Sequence, residues 1–588
     1  MERRTHTCGE LRKSHIGQQV ILNGWVENFR DHGRVIFIDL RDRYGLTQIK
    51  FSEEIQKDAW DIAFKVRSQF VLSVTGKVES RGDFINPKLA TGEIELVVTK
   101  IEILNTSETP PFEITDYSNV NEELRLKYRY LDLRRAKMQQ NFIFRNNLVH
   151  SIRDYFFKND FIEVETPVLT KSTPEGARDY LVPSRVHPGE FYALPQSPQL
   201  FKQLLMVSGF EKYIQIVKCF RDEDLRADRQ PEFTQIDIEM SFVTKEHILN
   251  MVEELVQKIF KDTLNMDVKR PFQRMTFTEG MEVYGSDKPD LRFDLKMVDV
   301  TEAMRGVEFQ VFKKALEDGG KVKLINAKKG GSLSRKDIDQ LEAAAKVYGA
   351  RGLAWIKVNA DGLQSPIVKF FTDAQMKKVL DLAGAEVGDL ILFGAGRKDI
   401  VNASMGQVRI QLGKALNLYK KEDFHFSFLI DAPLFEKDHD TGALKSTHHP
   451  FTMPLIKDIK ELDGDLENVM SDSYDLVING NEIGGGSIRI HKPELQARIF
   501  QLLGISDEEA ELKFGFLVSA LKYGAPPHGG LAFGLDRLCM ILLGLDSLRD
   551  CIAFPKTQRA SCLMSEAPSA VSEDQLAELS LKVHQVKV

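Results

Sequence analysis

The chain has 588 residues, which at about 100 to 200 residues per domain predicts several domains and excludes a single small module. Its 43% hydrophobic and 28% charged residues exclude wholesale disorder, and its formal net charge of −7 means that a nucleic-acid partner would need local basic patches. The five cysteines contain no C-x-x-C pair, and the chain has neither a signal-like apolar start nor a run of 18 apolar residues. We therefore expect a cytoplasmic protein without a membrane partner, a zinc ribbon or a disulfide scaffold.

Residues 18–105 alternate β-rich runs with turn residues. The runs are 20–26, 35–40, 46–51, 70–78 and 94–104. Five strands in this length predict a small OB-fold barrel, whose central strands read single-stranded nucleic acid. Residues suited to such a face are Phe29, Arg30, Arg34, Phe37 and Gln48. Core packing of the aromatic ring and a solvated arginine rim explain the same residues about equally well.

A linker and a basic segment follow the barrel. Residues 105–121 are rich in Thr, Ser, Pro and Asp, which is typical of a linker. The segment 125–158 carries nine Lys or Arg and two Asp with interleaved aromatic residues. It predicts helices that neutralise phosphates or, as charge runs more often do, a solvated helix face.

The remainder of the chain changes character twice. From 161 to about 288 strands alternate with helices around dense polar motifs, and 422–555 return to a β-rich, motif-bearing pattern. Between them, 295–421 are rich in Lys, Ala and Gly, and we interpret this stretch as an inserted domain. In the tail, the capping box of Ser572 and Gln575 predicts a short helix.

The densest polar motif occupies residues 220–240. Its pattern predicts two antiparallel strands around a charged loop. Arg221, Gln235 and Asp237 fall in the strands, where a charge needs a partner or a ligand. A guanidinium at a strand end can bind a phosphate through two hydrogen bonds.

Two later motifs surround glycine runs. Asp475 and Glu482 flank a strand and turn and can share a Mg²⁺ ion that also binds nucleotide phosphates. Arg489 lies inside the following strand. At 529–543 a glycine-rich strand continues into an apolar helix whose first turn carries Arg537, placed for a phosphate or a purine face. Taken singly, flexible turns and a capped core helix explain these motifs as well.

Together and in this order, the segments 161–167, 220–235 and 534–537 resemble the three signature motifs of class II aminoacyl-tRNA synthetases. The segments 172–179, 196–202 and 448–451 are similar to those of the bacterial-type aspartyl-tRNA synthetases. The resemblance covers essentially the whole chain. It implies an α+β multidomain fold with an N-terminal OB-fold β-barrel, an antiparallel-sheet catalytic core and an inserted α+β domain. The implied domains are an anticodon-binding barrel (1–107), a linker or hinge (108–137), a catalytic core (138–294 and 422–555), an insert (295–421) and a C-terminal extension (556–588).

The resemblance implies an aspartate–tRNA ligase that makes aspartyl-adenylate from L-aspartate and ATP with Mg²⁺, transfers aspartate to tRNA(Asp), and forms a homodimer through the first motif. The implied site residues are Arg221, Glu482 and Arg537 for catalysis; Glu175, Ser197, Gln199, Lys202, Arg221, Asp237, His448 and Arg489 for aspartate; Arg221, Glu223, Gln230, Phe233, Glu482, Gly534, Leu535, Asp536 and Arg537 for ATP; and Asp475 and Glu482 for Mg²⁺.

In the barrel, the resemblance implies that Arg30, Phe37, Gln48 and Glu95 read the anticodon. Members of the family that also charge tRNA(Asn) tend to carry His at the position of His32 and to lack a Lys near Asp83. We therefore predict that this protein charges both tRNA(Asp) and tRNA(Asn).

Aspartate must be told apart from asparagine, and Arg489 and Lys202 offer only donors to its side chain. We expect these two cations to converge, and Arg489→Leu to abolish aspartate activation while leaving the fold intact. Three alternatives remain. A lysine enzyme would want acidic residues there, an asparagine enzyme would normally lack the insert, and a non-catalytic RNA-binding relative would have lost some of the motif residues.

Overall fold

The computed structural model describes residues 2–117, 119–173, 177–225, 229–438 and 441–584. The chain divides into two compact units. The first consists of Met1–Ile143, Arg549–Thr557 and Ser561–Ser569, and the second of Phe144–Leu548, Gln558–Ala560 and Ala570–Val588. Within the described ranges, no helix is both long and apolar enough to cross a lipid bilayer.

The first unit contains a closed five-stranded barrel, as predicted. Its strands are β1 (Gln19–Asp31), β2 (Val35–Asp42), β3 (Gly45–Ser52), β4 (Val71–Ser80) and β5 (Ile94–Asn105), in the order β1-β2-β3-β5-β4, with helix α1 (Lys57–Ala63) between β3 and β4 in the chain. Alternate side chains such as Val20, Leu22, Ile36 and Ile38 fill the interior. The other side chains of the same strands therefore form an outer face that can carry polar residues.

Helices α2 (Glu122–Lys127), α3 (Arg129–Asp132) and α4 (Ala136–Lys158) follow the barrel. Arg129 is buried and donates to Asp132 at 2.6 Å and to the carbonyl oxygens of Ile552 and Ala553, both at 2.9 Å. Arg135 contacts the same Asp132 at 2.9 Å. Part of the basic segment 125–158 is therefore buried structural charge, which neither alternative drawn from the sequence foresaw.

The second unit begins with short strands and three helices. They are β6 (Ile162–Glu163), β7 (Leu181–Pro183), β8 (Phe191–Ala193), α5 (Gln199–Val207), β9 (Lys212–Phe220), β10 (Glu232–Ser241), α6 (Lys245–Leu264), β11 (Gln273–Thr276) and α7 (Phe277–Glu279). The π turn Gly280–Tyr284 follows α7 directly.

The segment predicted to be an insert forms a sheet of its own. Its elements are β12 (Met297–Asp299), α8 (Gln310–Glu317), β13 (Lys321–Ala327), α9 (Arg335–Val347), β14 (Ala354–Asn359), β15 (Gly362–Gln364), α10 (Asp373–Ala383), β16 (Leu390–Gly396) and α11 (Lys398–Ala415). The strands pair in the order β12-β13-β16-β14-β15, and separate hydrophobic clusters contain alternate residues of β13 and β16. The predicted α+β character of 295–421 is confirmed.

The elements after the insert complete the second unit. They are β17 (Phe426–Ile430), β18 (Phe435–Lys437), β19 (Leu444–Ser446), β20 (Ser473–Ile478), β21 (Asn481–Ile488), α12 (Pro493–Leu502), α13 (Asp507–Leu521), β22 (His528–Gly534), α14 (Leu535–Leu542) and α15 (Glu573–Glu578). Short 3-10 turns occur at Lys13–His15, Thr301–Met304, Gly330–Ser332, Val368–Phe370, Ile459–Asp463, Leu466–Asn468 and Leu548–Asp550. The predicted capping box is present, because Ser572 and Gln575 bond reciprocally at the start of α15.

Strands from both sides of the insert form one eight-stranded sheet, in the order β11-β17-β20-β21-β22-β10-β9-β6. The six central strands pair antiparallel, whereas the edge pairs β11–β17 and β6–β9 are parallel. The antiparallel catalytic sheet is therefore confirmed at its centre and mixed at its edges. The α+β multidomain fold class is confirmed, while the individual domain boundaries stay a prediction because the two units divide the chain elsewhere.

Candidate active site

A cavity of about 1040 Å³ lies in the second unit against β10, β21 and β22. Its wall contains these predicted site residues: Ser197, Gln199, Lys202, Arg221, Glu223, Gln230, Phe233, Asp237, His448, Asp475, Glu482, Arg489, Gly534, Asp536 and Arg537. Leu535 is buried and does not line the wall. Glu175 lies outside the described residues. The sheet thus brings together side chains that are up to 340 positions apart.

Side chains alternate along β10, so Gln235, Asp237 and Glu239 lie on one face of the strand. The first two line the cavity, and Glu239 is fully buried beside them. Glu239 pairs across the sheet with Gly530 of β22, where a Cβ atom would lie 2.0 Å from Glu239 Oε2. Only glycine leaves room for this carboxylate. Glu239 is not among the site residues predicted from the sequence, although its spacing two residues after Asp237 places it on the same face.

Lys202 and Arg489 converge on Glu239. The Nζ atom of Lys202 lies 2.7 Å from Asp237 Oδ1 and 3.3 Å from Glu239 Oε2. Arg489 grips the other side of the carboxylate, with Nε 2.9 Å from Oε1 and Nη2 3.1 Å from Oε2. Both cations are at most 2% exposed. The predicted convergence is present, and a buried carboxylate that the sequence did not reveal holds it together.

The two cations set the charge state of this cluster. Burial alone would raise the pKa of Glu239, but Arg489 and Lys202 lower this pKa below its ordinary value. Burial would lower the pKa of Arg489, but Glu239 raises it. Burial raises the pKa of Asp237. The Arg489–Glu239 pair is therefore fully ionised at neutral pH.

Two histidines stand beside Arg489. Nε2 of His449 lies 2.7 Å from Arg489 Nη1, and it must accept because a guanidinium has no lone pair to offer. Arg489 Nη1 also donates to Ser487 Oγ at 2.7 Å. Burial and the nearby Arg489 lower the pKa of His448 to about 4 and that of His449 well below its ordinary value. Both rings are therefore neutral at pH 7.

The polar end of the cavity, lined by Lys202, Asp237 and Arg489, contains two groups without a hydrogen-bond partner among the described residues. Within the described part of the chain, Asp237 Oδ2 has no hydrogen-bond donor and Gln199 Nε2 has no acceptor, although both atoms are buried. Such groups are costly unless a ligand or water completes their bonding. One free acceptor and one free donor beside two cations suit a small zwitterionic ligand.

The charged hairpin β9–β10 lines another part of the wall. Arg221 follows β9 directly rather than lying within it, and its guanidinium stands 5.2 Å from the centre of the Phe233 ring. Arg229 binds Glu223 at 3.1 Å across the loop. The Phe233 ring and the Arg221 cation, side by side in the cavity wall, are suited to an aromatic base that carries a phosphate.

The third motif, residues 534–537, contributes Arg537 to the cavity wall, and its Asp536 fixes the start of helix α14. Arg537 Nη1 donates to the carbonyl oxygen of Glu482 at 2.7 Å. Asp536 is buried, accepts from the backbone nitrogen of Thr234 at 2.8 Å and contacts Arg145 of α4 at 2.7 Å. The Asp536 carboxylate therefore ties α14 to β10 and to the basic helix.

Asp475 and Glu482 face each other across the hairpin β20–β21. A Cβ atom at Gly485 would lie 2.4 Å from Asp475 Oδ1 and 3.8 Å from Glu482 Oε1. Burial, Glu482 and then Asp287 raise the pKa of Asp475 well above its ordinary value. Two carboxylates that repel each other in this way favour a divalent cation between them. The described residues offer no group of three or more acidic, His or Cys ligands, so phosphate or water oxygens would complete such a site.

The predicted anticodon residues share the outer face of the barrel. Arg30 grips Asp39 at 2.6 and 2.7 Å and donates to Gln48 at 3.2 Å. Gln48 donates to Glu95 at 2.9 Å, and Lys50 binds the same carboxylate at 3.1 Å. Asp39 and Lys50 were not predicted from the sequence. They hold Arg30, Gln48 and Glu95 in place.

The remaining barrel residues lie at the edge of this face. The half-buried Phe37 ring meets His32 edge to face, with the ring centres 5.7 Å apart. Asp83 is exposed in the connection between β4 and β5. The structure thus brings His32 to the stacking candidate, while it gives Asp83 no such contact among the described residues.

Comparison with known proteins identifies the family to which this chain belongs. Residues 121–558 match the family described as tRNA synthetases class II (D, K and N), and residues 20–104 match the OB-fold nucleic acid binding domain. The chain is a class II tRNA synthetase. An aspartate–tRNA(Asp/Asn) ligase of Thermoanaerobacter pseudethanolicus is 54% identical over 99% of this chain and 98% of its own length. An aspartate–tRNA ligase of Staphylococcus saprophyticus is also 54% identical, over 99% of this chain and 100% of its own.

Solved synthetase structures share the fold. A putative aspartyl-tRNA synthetase from Leishmania major has a TM-score of 0.60 at 20% identity and covers 94% of both chains. An asparaginyl-tRNA synthetase from Pyrococcus horikoshii, complexed with asparaginyl-adenylate, has a TM-score of 0.58 at 18% identity over 95% of this chain and 99% of its own. The class II core and the anticodon-type barrel of this synthetase are thus established, which confirms the family resemblance drawn from the motifs.

Proposed function

We propose that this class II synthetase activates L-aspartate with ATP and transfers the aspartyl group to tRNA(Asp) and tRNA(Asn). The observation that carries the proposal is the convergence of Lys202 and Arg489 on Glu239 at the polar end of the cavity. The names and 54% identity of the two bacterial relatives support the same substrate. We also assign the protein to the cytoplasm, because none of its five cysteines, all in the described residues, forms a disulfide, which suits a reducing compartment.

The aspartate side chain would lie against Arg489 and Lys202. Arg489 has five N–H donors, and its contacts to Glu239, Ser487 and His449 use four of them. The fifth donor suits a carboxylate and the positive charge of Lys202 favours one, whereas an asparagine amide would turn its own donors toward both cations. An unmatched buried donor costs several kcal/mol, so discrimination of roughly 10³-fold is expected. The free Asp237 Oδ2 suits the α-ammonium group.

Adenylate formation would use the hairpin and the third motif. An oxygen of the aspartate α-carboxylate attacks the α-phosphorus of ATP, and the bond from that phosphorus to the bridging oxygen breaks with its electron pair leaving on pyrophosphate. Arg221 offsets the charge that builds on the α-phosphate, while Phe233 and Arg537 hold the adenine. In the second step a ribose hydroxyl of the tRNA attacks the carbonyl carbon and AMP leaves.

The repelling pair Asp475 and Glu482 would hold Mg²⁺ together with phosphate oxygens. Bound Mg²⁺ supplies charge screening of the polyphosphate. The electrostatic repulsion between the two carboxylates, which lie on either side of Gly485, is the feature of this chain that supports the assignment.

The barrel face would read the anticodon, and His32 and Asp83 support a relaxed choice between the two tRNAs. One relative carries tRNA(Asp/Asn) in its name and the equally similar one does not, so the choice needs a direct test. Purified tRNA(Asn) should accept aspartate from this protein at a rate comparable to tRNA(Asp). Failure of aspartyl transfer to tRNA(Asn) would contradict the relaxed choice and leave aspartate activation standing.

A homodimer through the first motif is part of the proposal. The exposed apolar residues Phe157, Ile162, Val168 and Leu169 cluster in and beside the segment 161–167. Light scattering should give twice the chain mass of 66.8 kDa, and Ile162→Lys should shift it toward the monomer. A monomeric wild-type protein at micromolar concentration would rule the dimer out.

The test of aspartate activation is ATP–pyrophosphate exchange without tRNA. We expect exchange with aspartate and at least a hundredfold less with asparagine or lysine. Equal exchange with asparagine would contradict the charge argument. An absence of exchange with any of these amino acids would favour the RNA-binding alternative.

A further inference from the structure

The turn formed by residues 285–290 lies between the π turn Gly280–Tyr284 and the insert. Gly285, Ser286, Asp287 and Lys288 all line the cavity, on the side where Asp475 and Glu482 stand. None of the motifs identified in the sequence includes this turn. It therefore supplies a part of the wall whose chemistry is still unassigned.

The insert helix α11 fixes this turn. Gly285 has a φ of +69°, and a Cβ atom there would lie 2.2 Å from the carbonyl oxygen of Asn402 and 2.9 Å from the Cα atom of Gly406. The buried Arg409 donates to the carbonyl oxygens of Asp290 at 2.7 Å and Phe293 at 2.8 Å. The backbone contact at one end and the arginine at the other hold the turn against α11.

Lys288 differs from the other cations of the wall. Lys202, Arg229, Arg489 and Arg537 each bind an oxygen of a neighbouring residue, and Arg221 lies over an aromatic ring. The side chain of Lys288 has no hydrogen bond and no ion pair in the described parts of the chain, and it is exposed to the cavity. Its positive charge lowers the pKa of Asp475, against burial, Glu482 and Asp287, which raise it. An unpaired ammonium beside an acidic pair is placed for an anion that approaches this pair.

We propose that Lys288 binds the β- and γ-phosphates of ATP and stabilises the pyrophosphate as it leaves. The proposal rests on the proposed function, because ATP activation is what brings a polyphosphate to the acidic pair. When the α-phosphorus–oxygen bond breaks, its electron pair passes to the pyrophosphate, which gains negative charge next to Asp475 and Glu482. The ammonium of Lys288 offsets part of that repulsion. The insert thereby contributes to catalysis by holding the turn that carries Lys288.

The experiment compares Lys288→Met, Lys288→Arg and the control Lys269→Met in aspartate-dependent ATP–pyrophosphate exchange without tRNA. Lys269 is exposed and lies away from the cavity wall. Loss of one charge-assisted contact predicts about a tenfold rise in the KM for pyrophosphate in Lys288→Met, with the KM for aspartate within about twofold of wild type. Lys288→Arg should retain most of the pyrophosphate affinity, and Lys269→Met should match wild type.

Three outcomes would overturn the inference: an unchanged KM for pyrophosphate, an equal rise in the KM for aspartate, or an effect confined to tRNA charging. The last would mean that Lys288 contacts tRNA. If the wild-type protein gave no aspartate-dependent exchange, the proposed function itself would fail. A normal wild type with an unaltered Lys288→Met would remove the inference alone.

Discussion

Glu239 is the residue that most changes how the cavity is understood. It accepts from Arg489 at two positions and lies 3.3 Å from Lys202, with no exposure to solvent. Breaking a buried ion pair by removing one partner strands the other charge and costs about 3 to 5 kcal/mol. The expectation that Arg489→Leu leaves the fold intact therefore does not follow from the structure.

Arg489→Leu should lose aspartate exchange and also unfold at a lower temperature, because the buried Glu239 carboxylate loses both of its hydrogen bonds from Arg489. The double variant Arg489→Leu with Glu239→Gln removes the stranded charge, so it should recover much of the stability and none of the activity. Thermal melting and exchange assays on both variants test this. Exchange retained in either variant would remove Arg489 from aspartate binding.

Phe37 is the stacking candidate of the barrel, with His32 against its edge. Phe37→Ala should weaken tRNA charging by about 1 to 3 kcal/mol, which is the usual contribution of one stacked base. Exchange without tRNA should not change, because the cavity lies in the other unit. Phe70→Ala, which removes a ring packed against the barrel core and outside the predicted nucleic-acid face, serves as a control for loss of an aromatic side chain. Equal effects of the two variants on charging would argue for simple destabilisation.

At the scale of elements, the glycines of β22 leave room for large side chains of the neighbouring strand β10. Gly529 and Gly530 pair with Met240 and Glu239 of β10, and only the absence of a Cβ atom at Gly530 admits the carboxylate. From the sequence, a ligand was predicted for Arg537 in the helix that follows this strand, and none for Gly529 or Gly530. The structure connects these two glycines first with the buried side chain of the next strand.

Gly530→Ala should displace Glu239 and with it Arg489, so exchange with aspartate should fall at least tenfold and the melting temperature should drop. Gly352→Ala is the matched control, since the nearest atom to an added Cβ is the flexible end of Glu342, 3.9 Å away. Exchange and melting measured for both variants give the comparison. An active, stable Gly530→Ala would mean that the Glu239 position is adaptable.

At the scale of the whole molecule, buried and half-buried histidines make stability depend on pH. Burial lowers the pKa of His425, His448, His449, His491 and His528. The unfolded chain binds protons at these positions near pH 6.5, whereas the folded protein does so only at lower pH. Stability should therefore be highest above pH 6.5 and decrease as the pH falls below it.

Melting temperatures between pH 7.5 and pH 5 should follow this decrease, and His448→Gln should make it shallower because one neutral buried ring is removed. His187→Gln, at an exposed turn, should leave the slope unchanged. A melting temperature that stays flat or rises toward pH 5 would contradict the argument.

Much of this molecule could be predicted from local pattern. The five barrel strands, the β9–β10 hairpin and the Ser572 cap follow from alternation and turn residues, which act over a few positions. Asp237 was found because a charge inside a strand demands an explanation, and Asp475 because a second acid, Glu482, follows it across a predicted turn. Their mutual arrangement is set by the order of strands in the sheet.

Other features depend on contacts between distant segments. The local sequence does not distinguish Glu239 from other acidic residues in polar strands, because its partner Arg489 lies 250 positions later in the chain. Arg129 and Arg145 belong to a basic run that suggests phosphate binding, yet one is buried on carbonyl oxygens and the other binds Asp536. The position of 285–290 against α11 likewise has no local signal.

The shared carboxylate also restricts how such a protein could acquire a different amino acid. Replacing either cation alone leaves Glu239 with an unbalanced charge in a dry interior, so the first substitution is penalised before any new specificity appears. A viable route would have to exchange two members of the trio together, or begin with Glu239 itself. A chain that keeps all three charges therefore keeps a site suited to a ligand with a side-chain carboxylate.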